Sequence, residues 1–165
     1  MLKEGVGMNY RFENGKHAQL TIDLEIAAAK SEIWKLLATT EGITQWFPEL
    51  HADNLPEAGM LTFKTENGQE EMTLLEYVEG AILSFKWGSG RVSFMLKELE
   101  SAKTLIHFKE QLPYDFTGLS KDLAGWMMQL ERLRTIAEKR AFTLDKDTFR
   151  KYIEEIETLL SERVI

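Results

Sequence analysis

The sequence has no cysteine, few prolines, no basic excess and no long apolar run, and each absence argues against a class of protein. Without cysteine there are no disulfide scaffolds, thiolate metal sites or cysteine nucleophiles. The 27 acidic side chains outnumber the 20 basic ones, and the net charge of -7 disfavours contact with a nucleic-acid backbone. No apolar stretch has the length of a signal peptide or a membrane span. We therefore expect a cytoplasmic protein that binds no nucleic acid and inserts into no membrane.

What is present fits one folded domain, because 165 residues with 44% hydrophobic and 28% charged residues are close to the globular average. Residues 20–26 alternate between apolar and polar side chains, which predicts a strand. A run of further strands is predicted over 60–63, 71–78, 81–87, 91–99 and 103–112. Short separators such as Asn67-Gly68, Glu79-Gly80 and Gly88-Ser89-Gly90 suit tight turns between them, so the sheet is predicted to be an antiparallel meander.

Four helical segments complete the pattern. Two short ones, 30–37 and 42–47, follow the first strand, and Pro48 ends the second. A long amphipathic helix is predicted over 119–140, with Ser120 as its cap, and a second amphipathic helix over 145–163. This order predicts an α+β fold with the helices on one face of the sheet.

Several motifs together resemble a known superfamily. They are Ile26-Ala27-Ala28-Ala29-Lys30-Ser31-Glu32-Ile33-Trp34, Ile43-Thr44-Gln45-Trp46-Phe47, Glu76-Tyr77 with Leu83-Ser84-Phe85-Lys86-Trp87, and Gly125-Trp126 with Leu130 and Leu133. They resemble the START-like and Bet v 1-like (SRPBCC) superfamily, and within it the Hsp90-ATPase-activator-homologue branch, over about residues 20–138. The resemblance implies a helix-grip fold, in which a curved antiparallel sheet wraps around a long C-terminal helix.

The sequence departs from that family at two points. Ala29 stands where the family usually has proline, and the helix over 145–163 extends past the family's usual end. We therefore divide the chain into an N-terminal extension (1–16), a START-like domain (17–140) and an additional helix (141–165). That last helix is predicted to pack on the domain or on a second copy.

Alternation and helical spacing direct a set of large side chains into the space between the sheet and the long helix. Its predicted ligand-binding members are Trp46, Phe47, Leu83, Phe85, Trp87, Phe94, Phe108, Glu110, Trp126 and Leu130. This lining forms either a ligand cavity or simply the hydrophobic core, and the family resemblance favours the cavity.

Glu110 is the polar member of this lining, because alternation with Ile106 and Phe108 carries it to the apolar face. A buried carboxyl group would favour its neutral form and could orient a ligand or transfer a proton, whereas the alternative is a solvated strand-end glutamate. Arg91 is a possible partner. The three histidines stand far apart without metal-ligand spacing, and we predict neither a metal site nor a cofactor.

The leading functional prediction is a non-enzymatic domain that binds a small apolar or aromatic molecule. The resemblance also leaves open a protein-interaction module that acts on Hsp90, and a polyketide cyclase- or aromatase-like enzyme, for which no catalytic residue is assigned. The apolar face of the last helix, with Phe149, Tyr152, Ile156 and Leu160, suggests a possible homodimer.

Overall fold

The computed structural model of the protein describes residues 2–5, 8–143 and 145–163, which form nine strands and four helices. The strands are β1 (Leu2–Gly5), β2 (Met8–Asn14), β3 (Ala18–Ile26), β4 (Leu50–His51), β5 (Met60–Thr65), β6 (Gly68–Val78), β7 (Ile82–Trp87), β8 (Gly90–Glu100) and β9 (Lys103–Leu112). The helices are α1 (Lys30–Ala38), α2 (Thr40–Ile43), α3 (Leu119–Ala137) and α4 (Lys146–Ser161).

All nine strands belong to one antiparallel sheet with the order β1-β2-β3-β9-β8-β7-β6-β5-β4. The predicted meander from β5 to β9 is therefore confirmed. Two strands at the start of the chain and the short β4 were not predicted. Met8, Tyr10 and Phe12 of β2 are buried, so the segment that we described as an N-terminal extension adds to the sheet and its core.

The long helix α3 packs on the sheet through one apolar stripe. Its fully or almost fully buried residues include Leu123, Trp126, Met127, Leu130, Leu133 and Ala137, as the spacing predicts. A curved sheet wrapped around this helix confirms the predicted helix-grip fold. The predicted cap is wrong, because Ser120 lies inside the helix. The N-cap is Gly118, whose φ of 71° is accessible to glycine without steric cost.

A tight corner between α1 and α2 positions Trp46. Thr39 ends α1, and its hydroxyl accepts a hydrogen bond from the Gly42 amide, so α2 begins at Thr40 rather than at the predicted residue 42. The indole Nε1 of Trp46 donates a buried hydrogen bond of 2.7 Å to the Leu36 carbonyl oxygen. Because its polar atom is satisfied in this way, the Trp46 ring can lie fully buried against the sheet.

The last helix, α4, packs on α3 and β2 of its own chain. Tyr10 of β2 donates a hydrogen bond to the Glu155 carboxylate, and Tyr152 and Ile156 are buried in the core. The apolar face that suggested a homodimer is thus largely covered within the chain. None of the helices in the described ranges is long and apolar enough to cross a lipid bilayer.

Candidate functional site

The ring of Trp126 lies at the centre of an aromatic cluster between α3 and the sheet. Its ring centroid is 5.0 Å from that of Trp87, 5.2 Å from Phe108, 5.3 Å from Phe47, 5.9 Å from Phe94 and 6.4 Å from Trp46. Aromatic rings in direct contact have centroid separations of about 4.5–7 Å. The six rings therefore pack against one another, and we refer to them below as the aromatic cluster.

The strand alternation and the corner between α1 and α2 explain why these rings point into the cluster. Trp87, Phe94 and Phe108 alternate with outward residues on β7, β8 and β9, and Phe94 and Phe108 are register partners on neighbouring strands. The corner after α1 supplies Trp46 and Phe47. No ring of the cluster is more than 7% exposed, so a guest molecule that lies among these rings has to displace some of them.

The structure brings all ten residues of the predicted lining into the interior. Beyond the aromatic cluster, Leu83, Phe85 and Leu130 are completely buried, and Phe85 stacks on Phe94 at 6.4 Å. Their predicted inward orientation is confirmed. Their binding of a ligand stays a prediction.

A polar group adjoins the aromatic cluster where α3 begins. The indole Nε1 of Trp87 donates to both carboxylate oxygens of Asp122, at 3.1 and 3.0 Å. Asp122 lies in the first turn of α3, where the positive end of the helix dipole stabilises a negative charge. It is partly exposed and so connects the interior with the surface.

Glu110 is the buried member of this polar group. It is 0% exposed, and neither of its oxygens accepts a hydrogen bond from an N–H or hydroxyl donor of the described residues, so its hydrogen-bond partner is the carboxyl group of Asp122. Its register partners, Leu20 on β3 and Val92 on β8, are apolar. The alternative of a solvated strand-end glutamate is therefore wrong, since this carboxyl group lies in the core.

Burial is the main cause of the raised pKa of Glu110, and the neighbouring Asp122 is the second cause. Loss of hydration disfavours the charged form, and the Asp122 carboxyl group acts in the same direction, so the pKa of Glu110 is raised well above 4.5. Glu110 and Asp122 together form an acid pair in which one member favours the protonated state.

The other residues considered from the sequence lie outside this site. Arg91 is exposed and pairs in register with Gln111 on the outer face of the sheet, so the proposed contact with Glu110 is absent. His107 also faces outward, where its Nδ1 lies 2.7 Å from the Asp23 carboxylate. Among the described residues, no three His, Asp or Glu side chains converge in a way that could hold a metal ion.

Sequence reasoning missed Asp122, although a signal was present. Asp122 precedes Trp126 by four residues, and residues four apart lie on the same face of a helix. If Trp126 points into the lining, Asp122 has to lie one turn away on the same side. The missing information was tertiary, because only the packing of α3 against β9 brings Asp122 near Glu110.

Comparison with known proteins finds similar solved structures but no matching family model. No protein-family model matches the sequence, and no curated protein matches it either. The conserved protein of unknown function EF2215 from Enterococcus faecalis is 31% identical, with a TM-score of 0.85, over 96% of this chain and 92% of that one.

Two more distant structures share the fold alone. CalU16 from Micromonospora echinospora is 16% identical, with a TM-score of 0.72, over 94% of this chain and 99% of that one. The Aha1 dimer from Colwellia psychrerythraea is 17% identical, with a TM-score of 0.58, over 73% of this chain and 96% of that one.

Proposed function

The chain belongs to the family of the Enterococcus faecalis protein EF2215, and from this premise and the geometry of the site we propose that it binds a small apolar or aromatic molecule between the sheet and α3. The observation that carries the proposal is the buried Glu110 carboxyl group, whose oxygens accept no hydrogen bond from an N–H or hydroxyl donor of the described residues and whose polar neighbour is a second acid, Asp122. Buried acceptor oxygens without a donor are costly, and a bound molecule that donates to them removes this cost.

The surroundings of Glu110 support the proposal. The aromatic cluster offers flat apolar surfaces for a guest, and a few polar atoms beside such surfaces are typical of small-molecule sites. Because the rings are in mutual contact, binding requires a rearrangement in which a guest replaces ring contacts. The partly exposed Asp122 marks the side from which a guest reaches the cluster with the least disruption of the sheet.

The test is a binding screen with the whole chain, read by intrinsic tryptophan fluorescence and by calorimetry. Three of the four tryptophans, namely Trp46, Trp87 and Trp126, lie in the aromatic cluster, so a guest is expected to change the emission. The screen covers sterols, fatty acids, flavonoids and polyketide-like aromatic compounds. Saturable binding supports the proposal, and absence of saturable binding by both methods across these classes refutes it.

A pair of variants locates the binding. The fourth tryptophan, Trp34, contacts Tyr77 at 5.5 Å and lies outside the cluster. Trp34→Phe is therefore expected to leave the ligand-induced emission change intact, whereas Trp126→Phe should reduce it. Equal loss in both variants would contradict binding at the cluster.

One observation favours a second candidate, a cyclase- or aromatase-like enzyme. Such a reaction needs at least two polar groups that converge on the substrate, and Glu110 and Asp122 are two such groups, of which Glu110 favours its protonated form. For this candidate, Glu110→Gln is expected to abolish turnover of a polyketide-like substrate while the variant stays folded. Unchanged turnover would remove Glu110 from any mechanism.

Two partner predictions depend on direct measurement. The similarity to the Colwellia Aha1 dimer extends to the fold alone, and action on Hsp90 is tested by adding the chain to the host's Hsp90 and measuring the ATPase rate.

A homodimer would use a surface other than the buried part of α4. Light scattering is expected to give twice 19.0 kDa for a dimer, and 19.0 kDa at high concentration would refute it.

A further inference from the structure

The charges around the aromatic cluster restrict the kind of molecule that it can accept. Glu110 and Asp122 are both acidic, and no basic side chain among the described residues contributes to the electrostatics of Glu110. The elements packed around Glu110 present apolar Leu20 and Val92, Asp122 of α3, and the indole of Trp87, which already donates to Asp122.

The hydrogen-bonding capacity of this group is likewise one-sided. The Trp87 indole N–H is used by Asp122, the proton of Glu110 is shared with Asp122, and the Glu110 oxygens accept no hydrogen bond from an N–H or hydroxyl group of the described residues. The acid pair therefore leaves no donor free for a ligand and has an excess of acceptor oxygens. A carboxylate or phosphate ligand would meet like charge and no free donor, whereas a ligand that donates hydrogen bonds satisfies these oxygens.

We infer that the ligand of this site is an organic amine, bound as its ammonium form, with the charged nitrogen at Glu110 and Asp122 and the apolar body among the rings. This inference rests on the proposed function. Aromatic faces attract cations, and a carboxylate paired with an ammonium makes charge-assisted hydrogen bonds that are stronger than neutral ones. The partial charge of about +0.5 at the start of α3 is smaller than the negative charge that the acid pair can carry.

Binding by this route displaces a proton. Glu110 favours its protonated form in the free protein, and the incoming ammonium stabilises its carboxylate form. The protonated acid and the alkylammonium ion thus give an ammonium–carboxylate pair and one proton, which passes to the buffer. No bond other than the O–H bond of Glu110 is broken, and affinity for an amine rises with pH as long as the amine stays protonated.

The experiment compares three probes of similar shape on the whole chain: 2-(1-naphthyl)ethylamine, 2-(1-naphthyl)ethanol and 1-naphthylacetate. Calorimetry in phosphate and in Tris measures affinity and proton release together. We expect the amine to bind at least about tenfold more tightly than the alcohol, the carboxylate to bind most weakly, and up to one proton to be released per amine. Equal or tighter binding of the alcohol or the carboxylate overturns the inference and leaves the proposed function standing.

Variants connect the preference to the acid pair. Glu110→Gln is expected to lose the preference for the amine and the proton release, and Asp122→Asn, at a partly exposed position, to weaken the preference. Glu98→Gln is the matched control, since Glu98 is an exposed strand glutamate, and should behave like the parent. Amine preference that persists in a folded Glu110→Gln variant, or that is undiminished in a folded Asp122→Asn variant, overturns the inference. Failure of all three probes and of the wider screen refutes the proposed function, and the inference with it.

Discussion

Replacement of Glu110 by glutamine should remove a pH dependence from the stability of the fold. The pKa of Glu110 is raised in the folded protein, mainly by burial and further by Asp122, so the native state holds a proton that the unfolded state releases above about pH 4.5. The contribution of Glu110 to the free energy of unfolding is therefore fully present at or below that pH. It falls as the pH rises toward the folded-state pKa, because the unfolded state binds fewer protons there.

The size of the effect follows from one proton. A difference of one bound proton changes the free energy of unfolding by about 1.4 kcal/mol per pH unit. For a chain of this length, about 1 kcal/mol corresponds to about 2–4 °C in Tm, so the parent should lose about 3–6 °C per pH unit relative to Glu110→Gln. Urea unfolding and thermal melts from pH 4.5 to 7.5, followed by circular dichroism, measure both quantities.

The difference between parent and variant isolates Glu110 from other groups. Burial also raises the pKa of Glu131, but Glu131 is present in both proteins and its contribution cancels. The exposed control Glu98→Gln should follow the parent at every pH. Parallel curves for the parent and Glu110→Gln would show that Glu110 does not retain a proton on folding, and the argument from burial would fail.

Four further substitutions test the packing, each by urea unfolding of the variant beside the parent. Gly42→Ala would place a Cβ atom 1.9 Å from a backbone oxygen of α1 and should lower the free energy of unfolding by at least about 3 kcal/mol. Gly125→Ala on α3 adds a Cβ atom that meets nothing within 4 Å and should raise it by about 0.5–1 kcal/mol. Similar effects at both glycines would contradict the close approach between Gly42 and α1. Tyr10→Phe removes the hydrogen bond to Glu155 and should cost about 1–2 kcal/mol, and no loss would mean that this contact does not hold α4. Trp126→Ala removes the central ring of the aromatic cluster and should cost about 3–5 kcal/mol, with a smaller loss indicating that the cluster relaxes around the gap.

The alternation of apolar residues was sufficient to predict the central sheet, and β9 has the predicted bounds. The same signal was present in β2, where Met8, Tyr10 and Phe12 alternate with polar residues, but that segment was interpreted as an extension of the domain. The start of α3 could not be derived from the serine preference at N-caps. The N-cap is Gly118 because the backbone turns there with a positive φ, a conformation that glycine adopts readily. A preference for side-chain caps does not predict such a position.

For the site, sequence determined which side chains point inward but not how tightly they pack. The placement of Val92 on the inner face already put Arg91 on the outer one, so its pairing with Glu110 could have been rejected from alternation alone. The acid pair with Asp122 depends on how α3 docks against β9. Ring separations such as the 5.0 Å between Trp87 and Trp126 depend on that docking too, and no periodicity encodes it.

The hydrogen bonds between β2 and α4 have a consequence for how the protein is made. Tyr10 with Glu155, and the Asn14 amide with the Leu159 carbonyl, each join residues 145 positions apart. On a translating ribosome β2 is synthesised well before α4, so Tyr10 has its partner Glu155 only after a further 145 residues have been added. We expect the aromatic interior to form first and α4 to close over β2 as a late step, because contacts between distant residues carry the largest loop-closure cost.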